Sequence, residues 1–142
     1  MRYLDTSVLL AFLVPEVGSS AAEALMTSDG EPLAISSWSE VELVSALGVK
    51  LRTRQMTERD ASSAIDAYTR LVLPSLRRIQ VGDADHRKAV TLLKGWRTSL
   101  RAGDGLHLAI ADAHRATIFT LDQGMAKAGA TLGIAVRLLK IT

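Results

Sequence analysis

Three aspartates stand where a short predicted strand or a loop gives way to a helix. Asp5 follows the first strand, Asp122 ends the fourth, and Asp104 lies between two glycines just before an alanine-rich segment. Each has an ordinary explanation when taken alone, because aspartate caps helices and occupies turns. Brought together, their carboxylates would repel one another unless a cation held them, and oxygen ligands favour the hard ions Mg²⁺ or Mn²⁺. The hypothesis is therefore a carboxylate metal site.

A fourth acid is expected after the second strand, where two glutamates compete for the position. Glu40 completes an S-x-x-E pattern with Ser37, so a helix capping box explains it locally. Glu42 has no such explanation, and Ser45 and Ala46 on its side of the helix leave room for close packing. Periodicity does not choose between the two, because Glu40 falls on the apolar side of the same helix. The residue pattern leaves both candidates open.

The elements that must position these acids alternate between strand and helix. Short apolar segments bounded by turn residues predict strands, and apolar residues repeating every three or four positions predict helices. This alternation favours an α/β fold with a parallel sheet covered on both faces. The predicted strands are 3–4, 33–35, 79–81, 117–121 and 135–139, and the predicted helices are 8–14, 19–26, 38–54, 57–73, 83–96, 106–115 and 123–130.

The position of each acid depends on the edge of the sheet at which it emerges. In such sheets, ligands bind outside the carboxyl ends of the strands. Asp5 and Asp122 emerge together there if their strands are neighbours. Asp104 begins the helix that leads into the strand before Asp122, which places it at the opposite edge unless residues 98–103 carry the chain back. The pattern alone does not decide where Asp104 lies.

The composition narrows the class of protein. The chain has 142 residues, 48% hydrophobic and 23% charged, which predicts a single domain over residues 1–142 and excludes a disordered chain. The absence of Cys excludes disulfides, thiol nucleophiles and thiolate metal sites. No segment has the roughly 18–20 apolar residues of a membrane span. The N-terminus lacks a signal-peptide pattern, so no membrane partner and a cytoplasmic location are expected.

Four segments resemble, in order, the motifs of the PIN-domain family, and most closely those of its VapC-type toxins. Residues 3–13 (YLDTSVLLAFL) resemble the first motif, in which a hydrophobic residue precedes Asp, then Thr or Asn, then Ser. Residues 42–47 (ELVSAL), 104–111 (DGLHLAIA) and 120–122 (TLD) resemble the second, third and fourth motifs. Each motif alone is weak, but four in order over nearly the whole chain are a specific signal.

The resemblance implies a PIN-like three-layer α/β/α fold with a central five-stranded parallel sheet. The acid of the second motif directly precedes Leu, which selects Glu42 over Glu40, and the resemblance implies that Asp5, Glu42, Asp104 and Asp122 share one pocket. The implied activity is that of a metal-dependent endoribonuclease, the toxin of a VapBC-type toxin–antitoxin pair. Its partners would be a small antitoxin, a second copy of the chain in a homodimer, and an RNA substrate, either tRNA or another structured or single-stranded RNA.

The chemical hypothesis is hydrolysis of an RNA phosphodiester by water activated on Mg²⁺ or Mn²⁺. The three aspartates would hold the ion, and Glu42 would position a second ion or the attacking water. Hydroxyl groups beside the acids would bond a water molecule or a phosphate oxygen, although capping and turn hydrogen bonds explain them at least as well. These supporting residues are Thr6, Ser7 and Thr120.

An RNA substrate also requires a cationic surface. Two groups of basic residues could supply it, one within 87–101 and the other within 50–59. Solvated helix faces are the simpler explanation for both groups. Trp96 would either stack on an unpaired base or pack in a core or dimer interface. The histidines lack metal-site spacing and are interpreted as structural. The residues predicted to bind RNA are Arg87, Lys88, Lys94, Arg97 and Arg101, and the histidines are His86, His107 and His114.

The alternative to an enzyme is a non-catalytic PIN-like or receiver-like binding or regulatory domain, in which the acids only cap helices. A receiver domain would carry an acid pair after the first strand, where this chain has Asp5-Thr6. A haloacid-dehalogenase-type phosphatase would carry Asp-x-Asp, but Ser7 occupies the second acidic position. The Gly-rich fingerprints of nucleotide-binding Rossmann and P-loop proteins are absent from the sequence.

Overall fold

The centre of the molecule is a five-stranded sheet in which neighbouring strands are parallel. The computed structural model describes residues 1–141, and the strand order is β3-β2-β1-β4-β5. The strands are β1 (Arg2–Leu4), β2 (Leu33–Ser36), β3 (Arg77–Ile79), β4 (Thr117–Thr120) and β5 (Val136–Leu138). The chain builds outward from β1 to β3 on one side and then continues with β4 and β5 on the other. The order therefore reverses between β1 and β4.

Helices form the connections between successive strands. A π turn at Tyr68–Val72 and a 3-10 turn at Leu73–Ser75 lead from the fourth helix into β3. The helices are α1 (Thr6–Leu13), α2 (Ser19–Met26), α3 (Ser37–Arg52), α4 (Glu58–Ala67), α5 (Asp83–Lys94), α6 (Ala102–Ala113) and α7 (Gln123–Leu132). Within residues 1–141, none of these helices is long and apolar enough to cross a membrane.

Alternating residues of the strands build two cores, one on each face of the sheet. Leu4 and Phe119 point into a cluster formed with α1, α2, α3 and α4, whereas Tyr3 and Ile118 point into a cluster formed with α5, α6 and α7. The prediction of a three-layer α/β/α fold around a five-stranded parallel sheet is confirmed. A single domain over residues 1–142 stays a prediction, and Thr142 lies outside the described residues.

Two elements near the middle of the chain correct the sequence prediction. The third strand was expected at 79–81 but is Arg77–Ile79, because it lies at the edge of the sheet and exposes two arginines instead of a buried apolar run. The helix expected at 57–73 ends at Ala67. Pro74 has no N–H to donate, and the chain passes through the π and 3-10 turns around it before entering β3.

The helix that carries Asp104 begins earlier than predicted, at Ala102 instead of Leu106. Asp104 and the two glycines beside it therefore lie inside the helix rather than ahead of it. An acid in the first turn is stabilised by the helix dipole, which offsets part of the cost of glycine in a helix. The loop over residues 95–101 returns the chain, so that α6 starts at the carboxyl edge of the sheet.

Gly129 lies where α7 packs against β5 without room for a side chain. A Cβ at this position would overlap Val136 Cγ2 and lie 3.0 Å from the carbonyl oxygen of Ile134. We expect Gly129→Ala to lower the free energy of unfolding by about 1–3 kcal/mol, measured by urea denaturation. Gly95→Ala is the control, because a Cβ there meets the Arg97 side chain only at 3.7 Å. Equal losses in the two variants would contradict this packing explanation.

Candidate active site

The site lies at the carboxyl edge of the sheet, beside the point where the strand order reverses. Asp5 follows β1, and its backbone N–H donates to the carbonyl oxygen of Phe119 in β4 over 3.0 Å. Asp122 follows β4 on the same edge. A reversal of strand order opens a crevice between the loops of an α/β sheet, which is where ligands bind in such folds.

A cavity of about 480 Å³ occupies this crevice and brings the predicted acids together. Glu42 lines the cavity and Glu40 does not, and Asp104 reaches it from the first turn of α6. The predicted hydroxyl residue Thr120 lies fully buried behind the wall. The cavity is lined by Asp5, Thr6, Ser7, Leu10, Trp38, Val41, Glu42, Ser45, Ala46, Asp104 and Asp122.

Asp5 is held by hydrogen bonds from both sides of its carboxylate. Its Oδ1 accepts from the backbone N–H of Ser7 over 2.5 Å, which caps α1, and its Oδ2 accepts from the hydroxyl of Thr120. Thr120 Oγ1 in turn accepts from the backbone N–H of Asp122 over 2.9 Å. Thr120 thus links the two aspartates that follow β1 and β4, and its supporting role in a reaction stays a prediction.

The loop that carries Asp122 is fastened to the start of α1. Ser7 Oγ accepts from the backbone N–H of Leu121 over 3.1 Å, and Asp122 Oδ1 accepts from the backbone N–H of Gly124 over 2.8 Å, capping α7. Within the described chain, Asp122 Oδ2 has no hydrogen-bond donor. Both aspartates that follow strands therefore cap helices and also line the cavity, so the two interpretations of them are compatible.

Glu42 keeps one carboxylate oxygen occupied and the other unbonded. Oε1 accepts from the hydroxyl of Thr6 over 2.6 Å and also contacts His107 Nε2, whereas no hydrogen bond of ordinary geometry reaches Oε2 from residues 1–141. The buried indole N–H of Trp38, which has no partner in this range, lies near enough to Glu42 to help lower its pKa. A Cβ on Gly103 would lie 2.7 Å from Glu42 Oε2, so a larger residue there would displace the Glu42 carboxylate. Burial acts to raise the pKa of Glu42, but the hydrogen bonds from His107 and Thr6 outweigh it and hold the pKa below its usual value.

Glu40 faces away from the cavity and has a different set of partners. Tyr68 OH donates to Glu40 Oε2 over 2.7 Å, and the Arg78 guanidinium donates to Oε1 over 2.6 and 2.8 Å. The capping box expected from Glu40 is instead formed by Ser36 and Ser39. Glu40 ties α3 to the π turn and to β3, which explains why it stands among apolar positions.

Among the acids of the cavity, Asp104 is the one whose negative charge is least compensated by hydrogen bonds. No residue in the described range 1–141 donates a hydrogen bond to its carboxylate, although that carboxylate is half-buried. Burial raises its pKa, and the negative charges of Asp5, Asp122 and Glu42 raise it further. The cavity therefore concentrates more negative charge than the described side chains neutralise.

The donor chemistry of the cavity fits a hard divalent cation. Its ionisable groups are carboxylates, which are the ligands that Mg²⁺ and Mn²⁺ prefer. In the part of the chain that the structure describes, no three Asp, Glu or His side chains form a closed cage, so the acids line a common cavity without closing on a point. The repulsion at Asp104 is the force that a cation would relieve.

Comparison with protein-family models gives one decisive result. The PIN domain model matches residues 2–130, a range that includes all four acids. The chain belongs to the PIN domain family. A search of curated protein sequences finds no match.

Solved structures share the fold of this PIN domain at low sequence identity. FitAcB from Neisseria gonorrhoeae is 24% identical, with 96% of each chain covered and a TM-score of 0.72. Mycobacterium tuberculosis VapC20, described as a sarcin–ricin loop cleaving toxin, is 19% identical, with 91% of this chain and 95% of that chain covered and a TM-score of 0.72. VapBC2 from Rickettsia felis, bound to a promoter DNA fragment, is 19% identical over 99% and 100%, with a TM-score of 0.67.

The sequence analysis did not predict one contact beside the cavity. His107 was interpreted as structural; it is buried against Glu42, and its Nδ1 lies 2.7 Å from the hydroxyl of Tyr3. The available signal was its spacing from Asp104, because residues three apart share one face of a helix. Tyr3 carried no signal, since a tyrosine in a buried strand is ordinary core.

The residues predicted to bind RNA divide into two groups. Arg87 is paired with Asp83 on its own helix, and Lys88 Nζ lies 2.6 Å from a carboxylate oxygen of Asp112. Across residues 1–141, the other three predicted residues form no ion pair, and they follow one another along the end of α5 and the loop into α6. They are Lys94, Arg97 and Arg101, and they leave cationic charge available to a ligand.

Trp96 lies in the loop between α5 and α6 and is 86% exposed. This exposure excludes the core as its location. A second cavity of about 320 Å³ lies beside it and is lined also by Arg97, Lys127 and Gly124. Because the Gly124 N–H donates to Asp122, this second cavity adjoins the acidic one across the start of α7.

Proposed function

We propose that this PIN domain is a metal-dependent endoribonuclease that hydrolyses RNA phosphodiesters, and that it is the toxin of a VapBC-type toxin–antitoxin pair. One observation carries the proposal. Four carboxylates line a single cavity at the carboxyl edge of the sheet, and the half-buried Asp104 has no donor among the described residues. A domain in which acids only cap helices has no need for the half-buried, unbonded Asp104 or for Glu42 in the cavity.

The proposed site residues have different tasks. Asp5, Asp104 and Asp122, together with Glu42, would hold Mg²⁺ or Mn²⁺. Bound there, such an ion lowers the pKa of water and neutralises the charge that develops on a phosphate. Glu42 is ionised because His107 and Thr6 lower its pKa, and its unbonded Oε2 is the atom that would orient the attacking water and accept its proton.

The hydroxyl residues of the site support the acids. Thr6 donates to Glu42 and therefore fixes that carboxylate, while Thr120 donates to Asp5. Ser7 Oγ accepts from the Leu121 N–H, and its own proton stays available for a phosphate oxygen at the cavity. Together they hold the acids before substrate binds, which lowers the cost of ordering them during the reaction.

We place the approach of RNA on the side of Trp96. The cationic residues Arg97 and Lys127 beside the tryptophan attract the phosphate backbone, and the indole ring offers a face on which an unpaired base stacks. Arg97 is held toward α7 by a hydrogen bond of 3.2 Å from Nη2 to the carbonyl oxygen of Thr131. A single-stranded or looped RNA segment that crosses the start of α7 would occupy both cavities.

Trp96→Ala is expected to raise KM for RNA about tenfold and to change kcat by less than about twofold. Stacking of a base on an aromatic ring contributes about 1–3 kcal/mol, and about 1.4 kcal/mol corresponds to tenfold in affinity. Initial rates on a single-stranded RNA oligonucleotide measure both constants. Trp96→Phe is the control and should retain most of the affinity. An unchanged KM in Trp96→Ala would exclude the stacking role.

The proposed partners are a small antitoxin and a second copy of the chain, with the cytoplasm as the compartment. The support comes from the fold, which this chain shares with a toxin–antitoxin complex from Klebsiella pneumoniae at 20% identity and a TM-score of 0.61. Exposed apolar side chains of α3 also support coverage by a protein, since Val41 is 57% and Val44 is 59% exposed.

Purified protein and defined RNA test the proposed function. We expect endonucleolytic cleavage of RNA in the presence of Mn²⁺ or Mg²⁺, no cleavage in EDTA, and no cleavage of a DNA oligonucleotide of the same sequence. Sequencing of RNA ends after induction in cells then identifies the substrate. The alternative, a non-catalytic binding domain, predicts intact RNA under every condition, and that result would overturn the proposal.

A further inference from the structure

A chain of buried side chains runs from the core of the sheet to the acidic cavity. Ser36 Oγ lies 2.8 Å from Tyr3 OH, Tyr3 OH lies 2.7 Å from His107 Nδ1, and His107 Nε2 contacts Glu42 Oε1. Ser36 and Tyr3 have no exposed surface, and His107 is 1% exposed. The series of contacts therefore begins at fully buried residues of β1 and β2 and ends on a residue of the site.

The chemistry of Tyr3 and Glu42 determines which atoms in this series of hydrogen bonds carry the protons. An ionised glutamate only accepts hydrogen bonds, so His107 Nε2 must carry the proton that it shares with Glu42. Burial raises the pKa of Tyr3 to about 12, so its hydroxyl keeps its proton. In a neutral ring, Nδ1 accepts from the hydroxyl of Tyr3, whose oxygen accepts from Ser36. Every polar atom of the chain then has a partner.

A purely structural histidine would not require this arrangement. His107 lies in an alanine- and leucine-rich helix where an apolar side chain would fill the space without the cost of burying an imidazole. Its ring also packs against Tyr3, with centroids 5.5 Å apart and planes tilted by 60°. The tyrosine therefore fixes the ring in both position and rotation, and the ring fixes one oxygen of Glu42.

We propose that His107, oriented by Tyr3, is a positioning residue for Glu42 in the nuclease reaction. By binding Oε1 together with Thr6, it leaves Oε2 as the unbonded oxygen of that carboxylate. This inference rests on the proposed function, because it assigns Glu42 a task in RNA hydrolysis. It adds a line of contacts through which Tyr3, a fully buried residue of β1, acts on the site.

Tyr3→Phe tests the proposal because it removes one hydroxyl and keeps the ring. We expect kcat for RNA cleavage to fall about tenfold, with KM changed by less than about twofold, as for other residues that orient a group of an active site. In a Glu42→Gln background, the same substitution should change kcat by less than about twofold. An unchanged kcat in Tyr3→Phe, or an equal loss in both backgrounds, would overturn the proposal.

Tyr68→Phe is the matched control for the loss of a buried hydroxyl. Its hydroxyl donates to Glu40, outside the cavity, so this variant loses a comparable hydrogen bond without a connection to Glu42. We expect similar melting temperatures for Tyr68→Phe and Tyr3→Phe, with kcat reduced only in Tyr3→Phe. A kcat that falls equally in both variants would indicate a general loss of order and would also overturn the proposal.

Nuclear magnetic resonance of the histidine rings tests the same contacts without any cleavage assay. In the metal-free wild type, we expect His107 Nε2 to carry a slowly exchanging proton, and Tyr3→Phe should accelerate its exchange. His86→Gln and His114→Gln assign the remaining ring signals. A bare Nε2 in the wild type would overturn the inference even if RNA is cleaved. Intact RNA with a protonated Nε2 would overturn the proposed function while the contacts themselves stand.

Discussion

Asp104→Asn is expected to abolish RNA cleavage while making the metal-free protein more stable. The two effects have one cause. The Asp104 carboxylate is half-buried, lacks a donor among residues 1–141 and is repelled by three neighbouring acids, which together raise its pKa. A neutral amide of the same shape removes the repulsion in the metal-free protein, and it also removes a charge that the proposed cation requires.

We expect the loss in kcat/KM to be at least about 100-fold, because even residues outside the ligand shell of a metal site cost about 10–100-fold when removed. The melting temperature of the metal-free variant should exceed that of the wild type. Asp112→Asn lies on the same helix and faces Lys88 outside the cavity, so it is the control and should leave kcat/KM within about twofold. Retained cleavage or a lowered melting temperature in Asp104→Asn would contradict this explanation.

Glu42→Gln is expected to abolish most of the activity, whereas Glu40→Gln is expected to lower stability and leave the activity intact. Glu42 lines the cavity, so its replacement should lower kcat by at least about 100-fold. Glu40 binds Tyr68 and Arg78 away from the cavity, so its replacement should leave kcat within about twofold. It should lower the free energy of unfolding by about 1 kcal/mol, because a charged hydrogen-bonded pair is weakened at a half-exposed position.

The pair of variants is well matched, since the two glutamates are two residues apart on one helix and undergo the same chemical change. Rate measurements on one RNA oligonucleotide and urea denaturation on the same preparations give both quantities. A loss of kcat in Glu40→Gln with full activity in Glu42→Gln would reverse the assignment of the fourth acid. Equal losses would show that the helix as a whole, rather than Glu42, supports the reaction.

The sequence predicts the sheet well where its strands are buried. The residues of β1 and β4 are mostly apolar, alternate with helices and stand before aspartates, so the parallel sheet and its acidic edge follow from the pattern. The edge strand β3 exposes Arg77 and Arg78. Because this strand is less fully covered than a central strand, its sequence does not need a continuous run of apolar residues. Its position was therefore predicted two residues late.

The start of α6 depends on contacts that are distant in sequence. Two glycines beside Asp104 argue against a helix, because each costs about 0.5–1 kcal/mol there relative to alanine. In the folded protein the same glycines allow close approach, since a Cβ on Gly103 would meet Glu42 and one on Gly105 would meet Leu93. Local propensity thus indicates a loop, and tertiary packing makes it a helix.

The choice between Glu40 and Glu42 could not be made from periodicity for a related reason. The partners that occupy Glu40 come from the π turn and from the edge strand, and the partner that orients Glu42 comes from α6. The similarity to PIN-domain motifs selected Glu42 before these contacts were visible. It gave no indication of His107, whose contact with Tyr3 spans most of the chain.

Calorimetric titration of Mn²⁺ into the metal-free protein measures cation binding at the four acids without any assumption about the RNA. We expect saturable binding to the wild type and its loss in Asp104→Asn, with Asp112→Asn behaving as the wild type. Absence of binding to the wild type, or equal binding to Asp104→Asn, would contradict the assignment of this cavity as a metal-dependent nuclease site.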